Sequence, residues 1–204
     1  MLVQSALAPD PQPVAAPAAT RASREVDATT IARCKAGDHA ALTRFVQHYE
    51  HAVMALLSRV MGGGADVEDI AQEVFLRAFR ALPRFDLNGP ATVTTWLLTI
   101  ATRLALNDRR RTRTTATLTE DADLPDANTP ELAQSSAELG RAIEKAAGEL
   151  PIDQRVAFVL AEFHGMTMAE IAGALEIPEN TAKTRVFRAR EKMRGLLLPY
   201  WGGQ

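Results

Sequence analysis

The sequence predicts an all-α fold made of two helical domains joined by a flexible acidic linker. Three observations carry that prediction. From about Thr29 onward apolar residues recur at spacings of three and four, and the apolar–polar alternation of strands persists nowhere. Residues 112–134 are polar and acidic without stable periodicity, which marks a tether between packed elements. Charge along the C-terminal half then runs basic, acidic, basic, a pattern that the net charge of −2 conceals. Arg103, Arg109, Arg110, Arg111 and Arg113 stand against Asp108 alone. Residues 119–140 hold six acids and no Lys or Arg, and residues 178–194 hold six basic residues against Glu179 and Glu191.

A chain of 204 residues has length for one or two buried cores. Its single cysteine, Cys34, excludes an internal disulfide and a cysteine-based zinc site, and fits a reducing cytoplasm. Arg33 and Lys35 beside it could lower its pKa, but a small buried side chain is the stronger reading. No apolar run approaches the ~20 residues of a membrane span, so no membrane insertion is expected. The first residues lack a charged region followed by an apolar core, so no signal peptide is expected either.

Residues 1–26 are rich in Ala and Pro and read as a disordered tail. The first domain, 27–111, begins with a short helix over Ile31–Ala36, stopped by Gly37-Asp38. A longer helix over Ala40–Val60 follows, ended by Gly62-Gly63-Gly64. That triplet is a turn, because no strand precedes it and no Gly-Lys-Ser/Thr follows. The helix Asp66–Leu82 turns Val67, Ile70, Ala71, Val74, Phe75 and Ala78 to the core. Asp69, Gln72, Glu73, Leu76 and Arg80 face outward, with Phe79 at the margin. Acids and an amide beside outward Leu and Phe suit a docking surface for a basic partner helix. The two carboxylates could also suggest acid–base catalysis or a metal. However, no histidine joins them on that face, and no cofactor or metal site is expected.

Asn88-Gly89-Pro90 marks a loop, after which a helix runs from about Thr92 to Arg111. Val93, Trp96, Leu97, Ile100, Ala101 and Leu104 turn inward. Thr99, Arg103, Asn107 and Arg110 line the other side, where they can meet phosphates and bases. With the preceding loop, which offers Asn88 and Thr95, they form a candidate nucleic-acid surface. Arginine at position 103 offers donors only and a permanent charge, so it suits phosphate or a guanine edge.

Helical periodicity resumes over Ser135–Glu149 and Ile152–Phe163 in a second domain, 135–198, with residues 199–204 as a tail. Thr167 with Glu170 three residues later is a capping-box signature, and Ile171, Ala172 and Leu175 give that helix one apolar face. Glu176-Ile177-Pro178 breaks it. The next helix sets Ala182, Val186, Ala189 and Met193 on one side. Thr181, Thr184, Arg185 and Arg188 lie opposite, with Lys183 and Phe187 at the edges. A solvated amphipathic helix would also show a basic face. Two short helices across a tight turn, the second with hydroxyls and guanidiniums opposite its buried side, instead suit entry into the DNA major groove.

In this order the segments AGDHAALTRFVQHYEHAV, DVEDIAQEVFLRAFRAL, RFD and TWLLTIATRLALNDRRR resemble the region-2 domain of extracytoplasmic-function sigma factors. ELPIDQRVAFVLAEFHGMTMAEIAGALEIPENTAKTRVFRAREKMRGLL resembles their region-4 domain. The resemblance covers about Thr29–Leu198. It implies that Asp69, Gln72, Glu73 and the neighbouring Leu76 meet the clamp helices of the largest subunits of core RNA polymerase. It implies that the loop Phe85–Thr95 and the helix after it open and read the minus-10 element of promoter DNA. Lys183, Thr184, Phe187 and Arg188 match positions that read the minus-35 element. The acidic linker would thread the polymerase's RNA channel, and an anti-sigma factor is expected as a partner. The chain departs from the family's habit at Arg103, where many relatives carry Asn, so beside this resemblance Arg103 is expected to grip the DNA backbone while the Asn88–Thr95 loop chooses bases. Relatives also often have Gly or Ser in place of Asn180, and Val in place of Ala182. A stand-alone helix–turn–helix regulator is the alternative, but it gives the Asp66–Leu82 face and the Trp96 helix no task. An enzyme with a DNA-binding appendage lacks a nucleophile–base or metal cluster.

Overall fold

In the structure, a computed structural model, residues 25–62, 66–115 and 134–201 are described. Eight α-helices and one 3-10 turn make up these segments, with no strand among the described residues. In chain order the helices are α1 (Ala28–Lys35), α2 (His39–Met61), α3 (Asp66–Ala81), α4 (Val93–Thr115), α5 (Gln134–Gly148), α6 (Ile152–Glu162), α7 (Met168–Leu175) and α8 (Glu179–Trp201). The turn Leu82–Arg84 follows α3. Of the tail expected over residues 1–26, residues 1–24 lie outside the described residues, as do most of the linker and residues 202–204; residues 25–26 are instead ordered, with Val26 packed on the core and its N–H donating to Tyr49 Oη at 3.1 Å. Helix α4 runs to Thr115 and α8 to Trp201, beyond the ends read from the periodicity.

Local chemistry sets the helix ends. Asp27 and Asp38 cap α1 and α2 by accepting from the backbone N–H of Thr30, Ala40 and Ala41. Those bonds hold both carboxyls below the usual carboxylate range, led for Asp27 by the Thr30 hydroxyl and for Asp38 by Arg33. Gly62 ends α2 in the left-handed conformation, at φ 89°, that a residue with a Cβ adopts only at a cost. Cys34 is buried, and desolvation pushes its thiol pKa up, opposite to what a reactive thiolate needs. Glu25 is anchored: its carboxylate accepts from Tyr49 Oη at 3.1 Å and from Thr94 Oγ1 at 2.6 Å.

Helices α1–α4 pack around Phe45, Tyr49, Leu56, Leu57, Val74 and Leu97, all fully or almost fully buried. The same apolar cluster continues through Val156, Leu160, Ile171, Ala182 and Val186, so the core of the first unit runs into the second. A smaller cluster of Ala142, Ala146, Leu150, Phe158, Ala189 and Met193 joins α5, α6 and α8. The periodicity placed Val93, Leu97 and Ala101 inward correctly, but Leu98, Thr102 and Ala105 are buried too. Helix α4 packs against α2 and α3 and also against α7, so more than one side is covered.

Candidate polymerase and nucleic-acid interfaces

Three surfaces can be built from the residues upward. On α3 the buried side is Val67, Ala71, Val74, Phe75 and Ala78, which sends Asp69, Gln72, Leu76 and Arg80 outward. Glu73 is half-buried, and its Oε1 accepts from Arg77 Nε at 2.6 Å one turn later. Leu76 is 49% exposed beside these acids. An acidic strip around one apolar anchor can bind a basic helix, the anchor giving contact area and the acids steering.

The second surface is the loop 85–92 and α4. Phe85 stacks on Trp96 with ring centroids 4.7 Å apart, and Lys35 Nζ donates to Phe85 O at 2.6 Å, which fixes the loop's start. Asp86 turns the chain by accepting from the Asn88 N–H at 2.9 Å, leaving the Asn88 side chain exposed. Thr92 caps α4 through the Thr95 N–H at 3.1 Å. Asn107 and Arg110 are exposed, whereas Thr99 is half-buried with its hydroxyl on Thr95 O at 2.8 Å.

Two members of this surface reach across to the second domain. Thr95 Oγ1 donates to Glu170 Oε1 at 3.1 Å. Arg103 donates to Gly173 O at 3.1 Å and Ala174 O at 3.4 Å, and its Nη2 lies 3.1 Å from Glu176 Oε1. Arg109, in the same arginine run, caps the end of α2 instead, donating to Val60 O at 2.9 Å.

The third surface is the α7–turn–α8 unit. The capping box of α7 is complete: Glu170 N–H donates to Thr167 Oγ1 at 3.2 Å, and Thr167 N–H to Glu170 Oε2 at 2.7 Å. Glu176 ends the helix in the left-handed conformation at φ 55°. On α8 Ala182, Val186, Ala189 and Met193 are buried, against which Lys183, Thr184, Phe187 and Arg188 stand exposed. Phe187 keeps 53% of its surface in solvent, more than a core aromatic would. Thr181 is half-buried, and Arg185 is drawn aside to Asp153 at 3.2 Å. Of the six residues, four therefore share one open face.

Several residues escaped the pattern reading because they act across long sequence separations. Arg155 is buried and donates to Gly148 O, to Leu150 O at 3.3 Å and to Val60 O at 3.4 Å. Burial, then the nearby Arg109, lowers its pKa. Arg59 lies over the Phe163 ring, 4.4 Å from its centroid. Beside them a cavity of about 560 Å³ opens between α2, the start of α4 and the Phe163–Met166 turn, with Glu25, His48, His51 and His164 in its wall. His164 is held down to about 4 by burial first, then by Arg59 and His51. The described residues contain no group of three or more His, Cys, Asp or Glu placed to hold a metal ion.

Known proteins match this arrangement. The family models for Sigma-70 region 2 and for Sigma-70, region 4 match residues 45–115 and 140–193. The RNA polymerase sigma-H factor of Pseudomonas aeruginosa is 32% identical over 188 residues, covering 87% of this chain and 96% of that protein. The ECF RNA polymerase sigma-E factor of Escherichia coli K12 is 33% identical over 184 residues, covering 85% and 95%. Among solved structures, CnrH in complex with the cytosolic domain of CnrY aligns with a TM-score of 0.58 at 25% identity, over 83% of this chain and 95% of that one. The sigma factor RpoE of Bartonella quintana, solved with the anti-sigma factor NepR, shares the fold with a TM-score of 0.61 at 22% identity, over 76% and 95%.

Proposed function

The chain belongs to the sigma-70 family, in its extracytoplasmic-function group, and from that membership we propose how its surfaces divide the work. It is an alternative sigma factor, a non-enzymatic specificity subunit that directs transcription initiation at particular promoters. Asp69, Gln72, Glu73 and Leu76 on α3 dock on the clamp helices of the largest polymerase subunits. Asn88, Thr95, Thr99, Arg103, Asn107 and Arg110 engage the minus-10 element, with base choice in the Asn88–Thr95 loop and Arg103 on the backbone. Thr181, Lys183, Thr184, Arg185, Phe187 and Arg188 engage the minus-35 element, with Lys183, Thr184, Phe187 and Arg188 on the open side of α8.

The domains carrying these tasks are residues 27–111 and 135–198, with the acidic stretch between them lying along a path meant for RNA. The protein works in the cytoplasm, and no described helix is long and apolar enough to cross a membrane. An anti-sigma factor restrains it, by analogy with RpoE, which was solved with the anti-sigma factor NepR.

The observation that best supports this reading is the open face of α8, where exposed Lys183, Thr184, Phe187 and Arg188 are backed by four buried small or apolar residues. In vitro transcription with core polymerase on a pool of genomic fragments tests it. A discrete set of start sites sharing two spaced elements is expected. Transcripts no different from core polymerase alone would remove the reading.

A further inference from the structure

We propose that the cavity between α2, the start of α4 and the Phe163–Met166 turn binds a small organic acid, with its anionic head towards Arg59 and His164 and its apolar body against Leu98 and Phe163. The cavity measures about 560 Å³, within the range of roughly 300–1,000 Å³ that small-molecule sites occupy. Its wall combines apolar side chains, Ala52 and Met166 among them, with a few polar groups. Such a mixture suits a ligand that is charged at one end only.

The polar groups of the wall divide into two kinds. Glu25 is the only carboxylate among the described lining residues, and its lone pairs are already taken. Tyr49 Oη donates to it at 3.1 Å, Thr94 Oγ1 at 2.6 Å and the Thr94 N–H at 3.3 Å. Tyr49 Oη in turn accepts from the Val26 N–H. The hydroxyls of Thr92 and Thr95 are spent on the start of α4: Thr92 Oγ1 accepts from the Thr95 N–H and donates to Thr95 Oγ1, each at 3.1 Å.

What remains is basic. Arg59 Nη1 donates to Ala55 O at 3.0 Å, but Arg59 Nε is buried with no hydrogen-bond partner, and so is His164 Nε2. A buried donor without an acceptor is costly, and a small turn of either side chain presents it to the cavity, where one carboxylate serves both. The Phe163 ring, 4.4 Å from the Arg59 guanidinium, supplies an aromatic wall beside that head. His48 and His51 complete the titratable groups around the cavity. Burial, then the charges of Arg59 and His51, keep the His164 ring neutral, and an anion placed among them offsets that repulsion. A cationic ligand finds no such complement, because Glu25 has its donors already.

Isothermal titration calorimetry on the full chain tests the site with three probes: benzoate, benzylamine, which carries the opposite charge on the same ring, and inorganic phosphate, which has no apolar body. Saturable binding of benzoate is expected, with none of benzylamine and with phosphate about tenfold weaker or more. Arg59→Met should weaken benzoate about tenfold or more. Ala52→Phe, which fills the cavity from α2, should abolish binding while circular dichroism stays unchanged. Benzoate should bind more tightly at pH 6 than at pH 7, because the bound anion favours the protonated His164 ring, and His164→Gln should remove most of that difference. Absence of saturable benzoate binding would overturn the proposal. Equal binding of benzylamine would overturn the anionic head, and phosphate binding as tightly as benzoate would overturn the apolar body. Undiminished benzoate affinity in Ala52→Phe would put the ligand outside this cavity and overturn the site.

Discussion

Arg155 sends its guanidinium inward to three backbone carbonyls on two different segments, whereas Arg188 stands exposed on α8 without a described ion pair. The environment around each predicts opposite phenotypes. Removing Arg155 strands the carbonyls of Val60, Gly148 and Leu150 in the interior, so Arg155→Ala should lower stability by about 2–4 kcal/mol. Denaturant unfolding would show this as a lower midpoint with little change of slope. Arg188→Ala should leave that midpoint within about 0.5 kcal/mol. It should cost about 1–3 kcal/mol on the preferred minus-35 sequence and relax discrimination at one position. An equal loss on every sequence would make Arg188 a phosphate contact.

At the scale of the element, α3 shows how one helix serves two solvents. Its buried side needs only apolar residues at helical spacing, and any soluble residue would satisfy the other side. Acids at 69 and 73 beside an exposed Leu76 are therefore informative. Asp69→Arg or Glu73→Arg should abolish core-polymerase binding while circular dichroism stays unchanged, because like charge would then meet a basic partner. Undiminished affinity for core enzyme would detach α3 from polymerase binding. Glu73 also holds Arg77, so its variant frees one cation that the Asp69 variant does not. Comparing the two separates the strip's charge from that local pair.

For the molecule as a whole, the seam between the halves is sensitive to acid. His164 sits there, held down to about 4, with Arg59, His51, His48 and Glu25 around the same cavity. Its folded pKa lies below the unfolded value of 6.5, so the neutral ring is favoured in the packed state. That stability is complete above pH 6.5 and falls as pH drops from 6.5 towards 4. By pH 5 the loss reaches about 2 kcal/mol. Thermal unfolding at pH 7 and pH 5 should show a fall in midpoint that His164→Gln largely removes. An equal fall in the variant would assign the effect to the other groups.

Helix number, the two α3 faces, the capping box at Thr167 and the buried side of α8 were all legible in the chain. They depend on side chains within one or two turns of each other, and a period of 3.6 residues writes them locally. The open face of α8 was mostly legible for the same reason, although Arg185 turns to Asp153, thirty-two residues earlier. What packing decided lies at greater separations. Arg109 on Val60, Arg155 on Val60 and Arg103 on Gly173 each join residues about fifty to a hundred positions apart. No periodicity records such partners, because an outward arginine looks the same in sequence whether it meets solvent, phosphate or the carbonyl end of another helix. The second covered side of α4 is of that kind: its composition permits contact with DNA or with α7, and only the docked position of α7 shows which is made in this state.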